Sequence, residues 1–153
     1  MVEIIGTPGD DYLYGTFGDD VIRGLGGNDW LEGSAGNDTL NGGEGLDFLW
    51  GQSGADRFEF FAGEGSDRII DFTHGEDHIA IADFVTPDNY FLLFEDLDTD
   101  ANGLLDDNDA NVSYGSVDHW QGLTVDLTPY APCGTDSQLV LYNVSSLDHS
   151  DFV

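Results

Sequence analysis

The sequence predicts an all-β chain: a parallel coil with two nine-residue units per turn, followed by an antiparallel cap. Three observations lead there. From Gly6 to Glu59 one phrase is repeated six times without a gap: GTPGDDYLY, GTFGDDVIR, GLGGNDWLE, GSAGNDTLN, GGEGLDFLW, GQSGADRFE. The chain carries 31 acids against 3 basic residues, a formal net charge of −28, with acids placed at one repeat phase. Glycine usage also changes along the chain, because 16 of the 21 glycines fall within the first 65 residues.

Within the phrase, position 1 is always glycine (Gly6, Gly15, Gly24, Gly33, Gly42, Gly51), and so is position 4 (Gly9, Gly18, Gly27, Gly36, Gly45, Gly54). Position 6 is always aspartate (Asp11, Asp20, Asp29, Asp38, Asp47, Asp56), and position 8 is always large and apolar (Leu13, Ile22, Leu31, Leu40, Leu49, Phe58). The first six residues cannot form a regular strand through two glycines and an acid. The last three read x-apolar-x, a very short strand with one side chain inward. Glycine lets carbonyls turn inward, and aspartate adds a charged oxygen. Those are the ligands Ca²⁺ takes, about six to eight at a time. One loop supplies too few. Stacking phrase n on phrase n+2 pairs the strands in parallel and sets loops face to face: 1 on 3, 2 on 4, 3 on 5, 4 on 6. A flexible linker would not keep an apolar residue at one fixed phase.

These phrases resemble the GGxGxDxUx nonapeptide of the RTX (hemolysin-type) calcium-binding repeats. The fifth copy matches in full, and the other five depart from glycine at position 2. The resemblance implies a right-handed parallel β-roll with Ca²⁺ held between loops by the glycines and aspartates named above. Two degraded copies follow, AGEGSDRII at 62–70 and FTHGEDHIA at 72–80. They continue the coil and add Asp67 and Asp77 as candidate ligands.

Unliganded, a chain this acidic repels itself, so ion binding and folding should be coupled. Nucleic acid is excluded as a partner, since only Arg23, Arg57 and Arg68 could meet phosphates. Cys133 is the only cysteine, which rules out an intrachain disulfide. No apolar run is long enough to span a membrane. The start, MVEIIGTPGDD, lacks the basic and apolar regions of a cleaved signal peptide.

The composition shift divides the chain into a roll over 1–80 and a capping region over 81–153. Val2 to Ile5 reads as the first edge strand. In the cap, Val112 to Val117, Leu123 to Leu127 and Gln138 to Val144 read as strands, separated by turn clusters. Open coils need such an end. Inside it, residues 98–109 (DTDANGLLDDND) resemble an EF-hand loop: Asp98, Asp100 and Asn102 at positions 1, 3 and 5, Gly103 at 6, the Leu104 carbonyl at 7, Asp106 at 9 and Asp109 at 12. Asp109 stands where such loops usually carry a longer Glu. Thr86-Pro87 is a helix start ahead of it. The tail, Ser145 to Val153, ends in an acid followed by two apolar residues. It resembles the uncleaved C-terminal signal of type I export, which implies the secretion machinery as a partner and an extracellular destination.

Residues 18 apart stack on one sheet, so Tyr12, Trp30 and Phe48 form one outward column and Tyr14, Glu32 and Trp50 another. The opposite face is mostly polar. An aromatic face implies a partner: the chain's own cap, a second copy, or a sugar, as in the similar modules attached to alginate-modifying enzymes. Nothing points to catalysis. HExxH and GxSxG are absent, and His74, His78, His119 and His149 show no ligand spacing. The sequence thus reads as a secreted, non-enzymatic calcium-binding roll. The alternatives are a carbohydrate- or protein-binding module and the C-terminal piece of a larger RTX enzyme or toxin.

Overall fold

In the computed structural model the described residues are 1–61, 63–82, 104–105, 109, 111–117, 120–130 and 137–153. Two parallel sheets form the roll. One holds β1 (Glu3–Ile5), β3 (Val21–Gly26), β5 (Thr39–Glu44), β7 (Arg57–Phe61) and β9 (His78–Ala82), in that order. The other holds β2 (Tyr12–Tyr14), β4 (Trp30–Glu32), β6 (Phe48–Trp50) and β8 (Ser66–Ile69). The strands alternate between the sheets along the chain, so two phrases make one turn. Tyr12 lies opposite Trp30 and Trp30 opposite Phe48, a register of 18 residues.

The degraded copies keep the ladder. Phe48 pairs with Arg68, two residues beyond the regular step, and Arg57 pairs with His78, three beyond. The inserted residues are absorbed between strands, because register is held by the inward side chain and not by loop length. That side chain comes from position 8 throughout. Ile22, Leu31, Leu40, Leu49, Phe58, Ile69 and Ile79 are completely buried between the two sheets. Each such burial is worth about 1.5–3 kcal/mol relative to exposure. Leu13, in the first turn, is only partly buried.

The cap is antiparallel within itself: β11 (Val112–Val117) pairs with β12 (Trp120–Asp126), and β12 with β13 (Gln138–Tyr142). One junction differs from a purely antiparallel cap. β13 joins β8 in parallel, with Leu139 opposite Asp67 and Leu141 opposite Ile69, so one sheet runs on to seven strands. Leu139 and Leu141 are buried, so β13 serves as one more rung of the same core before the sheet turns antiparallel at β12.

The other sheet is closed by the tail. β10 (Leu104–Leu105) pairs antiparallel with β14 (Leu147–Asp148), a 3-10 turn covers His149–Asp151, and Phe152 bridges Ile79 in parallel. The Val153 N–H donates to the Ile79 carbonyl at 3.0 Å. The β9 edge is thereby covered. Of the EF-hand-like stretch, Asp98, Asp100, Asn102, Gly103 and Asp106 lie outside the described residues, as do Thr86-Pro87 and Cys133. Leu104 falls in β10, and Asp109 is buried. Among the described residues no helix is long and apolar enough to cross a membrane.

Candidate metal centres between the stacked loops

Each position-6 aspartate of the six regular copies sits just before a strand, where the loop turns into the sheet. From Asp29 onward its Oδ1 faces the loop one turn earlier. Asp29 accepts from the Asp11 N–H at 2.8 Å, Asp38 from Asp20 at 2.8 Å, Asp47 from Asp29 at 2.7 Å and Asp56 from Asp38 at 2.8 Å. The degraded copies continue the series: Asp67 accepts from Asp47 at 3.2 Å and Asp77 from Asp56 at 2.9 Å. The six aspartates from Asp29 to Asp77 therefore form two ladders, one along each sheet margin.

A different type of ladder, at position 5, runs beside these and is not among the sequence expectations above. At position 5, Oδ1 of Asp10 accepts from the Asn28 N–H, Asp19 from Asn37, Asn28 from Leu46 and Asn37 from Ala55, at 2.8–3.0 Å. Its direction is opposite, so stacked loops exchange side-chain bonds both ways. The signal was present as GDD, GDD, GND and GND in the first four copies. It was obscured because position 5 changes to Leu46 and Ala55 where only an N–H is needed.

The remaining aspartate oxygens divide the copies. Oδ2 of Asp29, Asp38, Asp47 and Asp56 is buried with no hydrogen-bond partner. A buried carboxylate oxygen left unpaired is expensive. Burial accordingly raises the pKa of Asp29, and pushes Asp38 and Asp47 up to about 6 and Asp56 to about 7; the N–H bonds to Oδ1 offset only part of this. Asp67 is likewise raised, first by burial and then by the Asp47 charge. In the copies that begin the roll, and in the last degraded one, Oδ2 is satisfied locally. Asp11 accepts from the Thr7 N–H at 2.5 Å and Asp20 from the Thr16 N–H at 2.7 Å; each also accepts from the threonine hydroxyl. Asp77 accepts from the Thr73 N–H at 2.8 Å.

The space beside each orphaned oxygen is defined by position 1. A Cβ placed on Gly33 would lie 2.5 Å from Asp38 Oδ2 and 2.9 Å from the Gly51 carbonyl oxygen of the loop above. Gly24 stands in the same relation to Asp29 and the Gly42 carbonyl. Carboxylate and carbonyl oxygens from two stacked loops thus converge on one narrow gap. Hard oxygen donors, an uncompensated negative charge and shielding from solvent fit a Ca²⁺ ion and suit neither a soft metal nor an anion. Gly6, Gly9, Gly15 and Gly18 belong to loops whose own aspartate is locally satisfied, whereas Gly27, Gly36, Gly42, Gly45, Gly51 and Gly54 belong to loops whose aspartate keeps an orphaned oxygen.

Away from the roll gaps, His74 is brought to the tail. Its Nδ1 lies 2.8 Å from Asp151 Oδ2 and its Nε2 is 3.7 Å from Asp148. Asp151 is completely buried, and also accepts from the Asp148 and Gly75 N–H groups. His74 itself stays exposed, and 77 residues separate it from the acid it meets. The contact ties the last degraded copy to the tail.

On the outer face Trp30 stacks on Phe48 at 5.7 Å and lies 5.9 Å from Trp50, with Arg68 over Phe48 at 5.5 Å. Tyr12 and Tyr14 are exposed.

A parallel roll with orphaned carboxylates facing carbonyls across its loop gaps defines a repeat module with acidic, oxygen-lined gaps between its turns. The profile of the RTX calcium-binding nonapeptide repeat, in four copies, matches residues 5–40, 23–58 and 32–69. The chain is similar to the solution structure of the AlgE6R3 subunit from the Azotobacter vinelandii mannuronan C5-epimerase. Identity is 31% over 97% of this chain and 82% of that one, with a TM-score of 0.68. The AlgE6R2 subunit of the same enzyme is 25% identical over 98% of this chain and 91% of its own, with a TM-score of 0.62. Among curated proteins none matches. The chain belongs to the RTX calcium-binding nonapeptide-repeat family.

Proposed function

We propose that this chain is a non-enzymatic module whose roll (1–80) orders as Ca²⁺ enters the loop gaps, with the region 81–153 closing its open end. The observation that carries the reading is the set of four buried, partnerless oxygens on Asp29, Asp38, Asp47 and Asp56. Those carboxylates, with carbonyls such as Gly42 and Gly51, would hold the ions. Bound Ca²⁺ supplies the positive charge that this interior lacks. The chain's own part is to place oxygens from two turns around one gap, so that closing the gap and filling it are one event. The EF-hand-like residues Asp98, Asp100, Asn102, Leu104, Asp106 and Asp109 are proposed as a further ion site on sequence grounds.

The same coupling suits export. A chain that stays open where calcium is scarce could leave by the type I route and fold outside; the tail's likeness to the export signal supports this. The test is far-UV circular dichroism during a Ca²⁺ titration of the chelated protein. Strand signal should appear cooperatively with Ca²⁺ and not with equal Mg²⁺. Equal order in chelator overturns the coupling.

A second reading rests on the Trp30–Phe48 stack with the tilted Trp50 ring beside it, an aromatic surface suited to a sugar face. The similar subunits come from a mannuronan-modifying enzyme. Glycan binding by the intact chain, lost in Trp30→Ala and Trp50→Ala, would establish it.

A further inference from the structure

The copies differ in how position 2 is folded, and the difference follows residue type. In copies three to six position 2 has positive φ: Leu25 at 80°, Ser34 at 83°, Gly43 at 96° and Gln52 at 70°. All four carry an aspartate with an orphaned Oδ2: Asp29, Asp38, Asp47 and Asp56; the first degraded copy shares the positive φ, at Gly63 (89°), but its Asp67 is not among them. In copies one and two, and in the last degraded copy, position 2 is a threonine outside the left-handed region. There the N–H of Thr7, Thr16 or Thr73 donates to Oδ2 of the aspartate four residues on. Threonine is β-branched and resists positive φ more than leucine, serine, glutamine or glycine do. It therefore keeps its N–H aimed at the carboxylate, and at Thr7 and Thr16 the hydroxyl joins it at 2.8 and 2.7 Å.

Building on the calcium reading above, we infer that position 2 decides which copies take an ion: a threonine there closes the site by occupying its carboxylate, and a residue in the left-handed region opens it. The gap is otherwise present at the closed copies. A Cβ on Gly15 would collide with the Gly33 carbonyl oxygen, as one on Gly24 would with that of Gly42. What is missing beside Thr16 is a free carboxylate oxygen. The closed copies stand at the start of the roll and next to the tail. The ion-dependent gaps are confined to the middle, between two ends that satisfy their own acids.

The experiment is native mass spectrometry of the intact chain at saturating Ca²⁺, counting bound ions, with circular dichroism to verify folding. Thr16→Gly should bind one ion more than the parent, and Ser34→Thr one fewer. Unchanged counts in Thr16→Gly, with a parent that does bind ions, overturn the inference and leave calcium-coupled folding standing. A parent that binds no ions overturns both. If Ser34→Thr does not fold, the gain in Thr16→Gly decides alone.

Discussion

The carboxylate of Asp47 is shared unequally: Oδ1 accepts the Asp29 N–H at 2.7 Å, while Oδ2, equally buried, meets no donor. The first contact stacks one turn of the roll on the next without any ion. The second leaves a charge that the protein alone does not neutralise. Removing the charge while keeping the acceptor separates the two roles. Asp47→Asn should retain the fold at high Ca²⁺ and weaken the titration midpoint by about tenfold or more, corresponding to ~1.4 kcal/mol. An unmoved midpoint in the dichroism titration would remove Asp47 from the ion sites.

Burial raises Asp38, Asp47 and Asp56 to about 6, about 6 and about 7 in the folded, ion-free chain, against an ordinary value near ~3.9. Between those limits the folded form binds protons that the unfolded form has released, so calcium-free stability falls as pH rises from about 4 to about 7. Calcium-free protein should therefore be more ordered at pH 5 than at pH 8. With Ca²⁺ present the trend reverses, because protons compete for the same oxygens and the midpoint rises on acidification. Dichroism at both pH values, with and without the ion, reads both limbs. A calcium-free transition near pH 4 would indicate ordinary surface acids instead.

The same repeat position carries different strain along the roll. Gly45 has φ of 136°, and a Cβ there would strike the Gly27 carbonyl; Gly9 has nothing within 4 Å. Gly45→Ala should destabilise by more than ~1 kcal/mol, while Gly9→Ala stays within about 1 kcal/mol of the parent. Thermal melts in excess Ca²⁺ measure both. Equal effects would mean that the loops are not stacked as described.

Core truncation should follow depth in the roll. Leu49 is fully buried, so Leu49→Ala is expected to cost about 2–5 kcal/mol. Leu13 is only partly buried in the first turn, and Leu13→Ala should cost clearly less. Chemical denaturation at fixed Ca²⁺ gives the comparison, and a reversed order would contradict the position of the core.

The last two residues lie against β9. Deleting Phe152 and Val153 removes the bridge to Ile79 and the bond to its carbonyl, and uncovers the sheet edge. The shortened chain should melt at lower temperature in excess Ca²⁺. An unchanged melting temperature would show that the tail is not part of the closure.

The alternation of strand and loop, the 18-residue register and the inward residue of every turn were legible in the sequence. They are local consequences of a nine-residue period, in which the side chain at position 8 can point only one way. Even the slippage at Phe48–Arg68 and Arg57–His78 could be counted from the inserted residues. The tertiary structure alone decided what depends on distant partners. It placed β13 in parallel on β8, set the tail on β9, and brought His74 to Asp151 across 77 residues. It also separated aspartates that look identical in sequence. Asp20 and Asp29 share one repeat position, yet one carboxylate is satisfied by Thr16 and the other keeps an oxygen without a donor. A repeat specifies which atoms are offered. The backbone conformation beside each one, and the layer stacked above it, determine whether they are left unpaired.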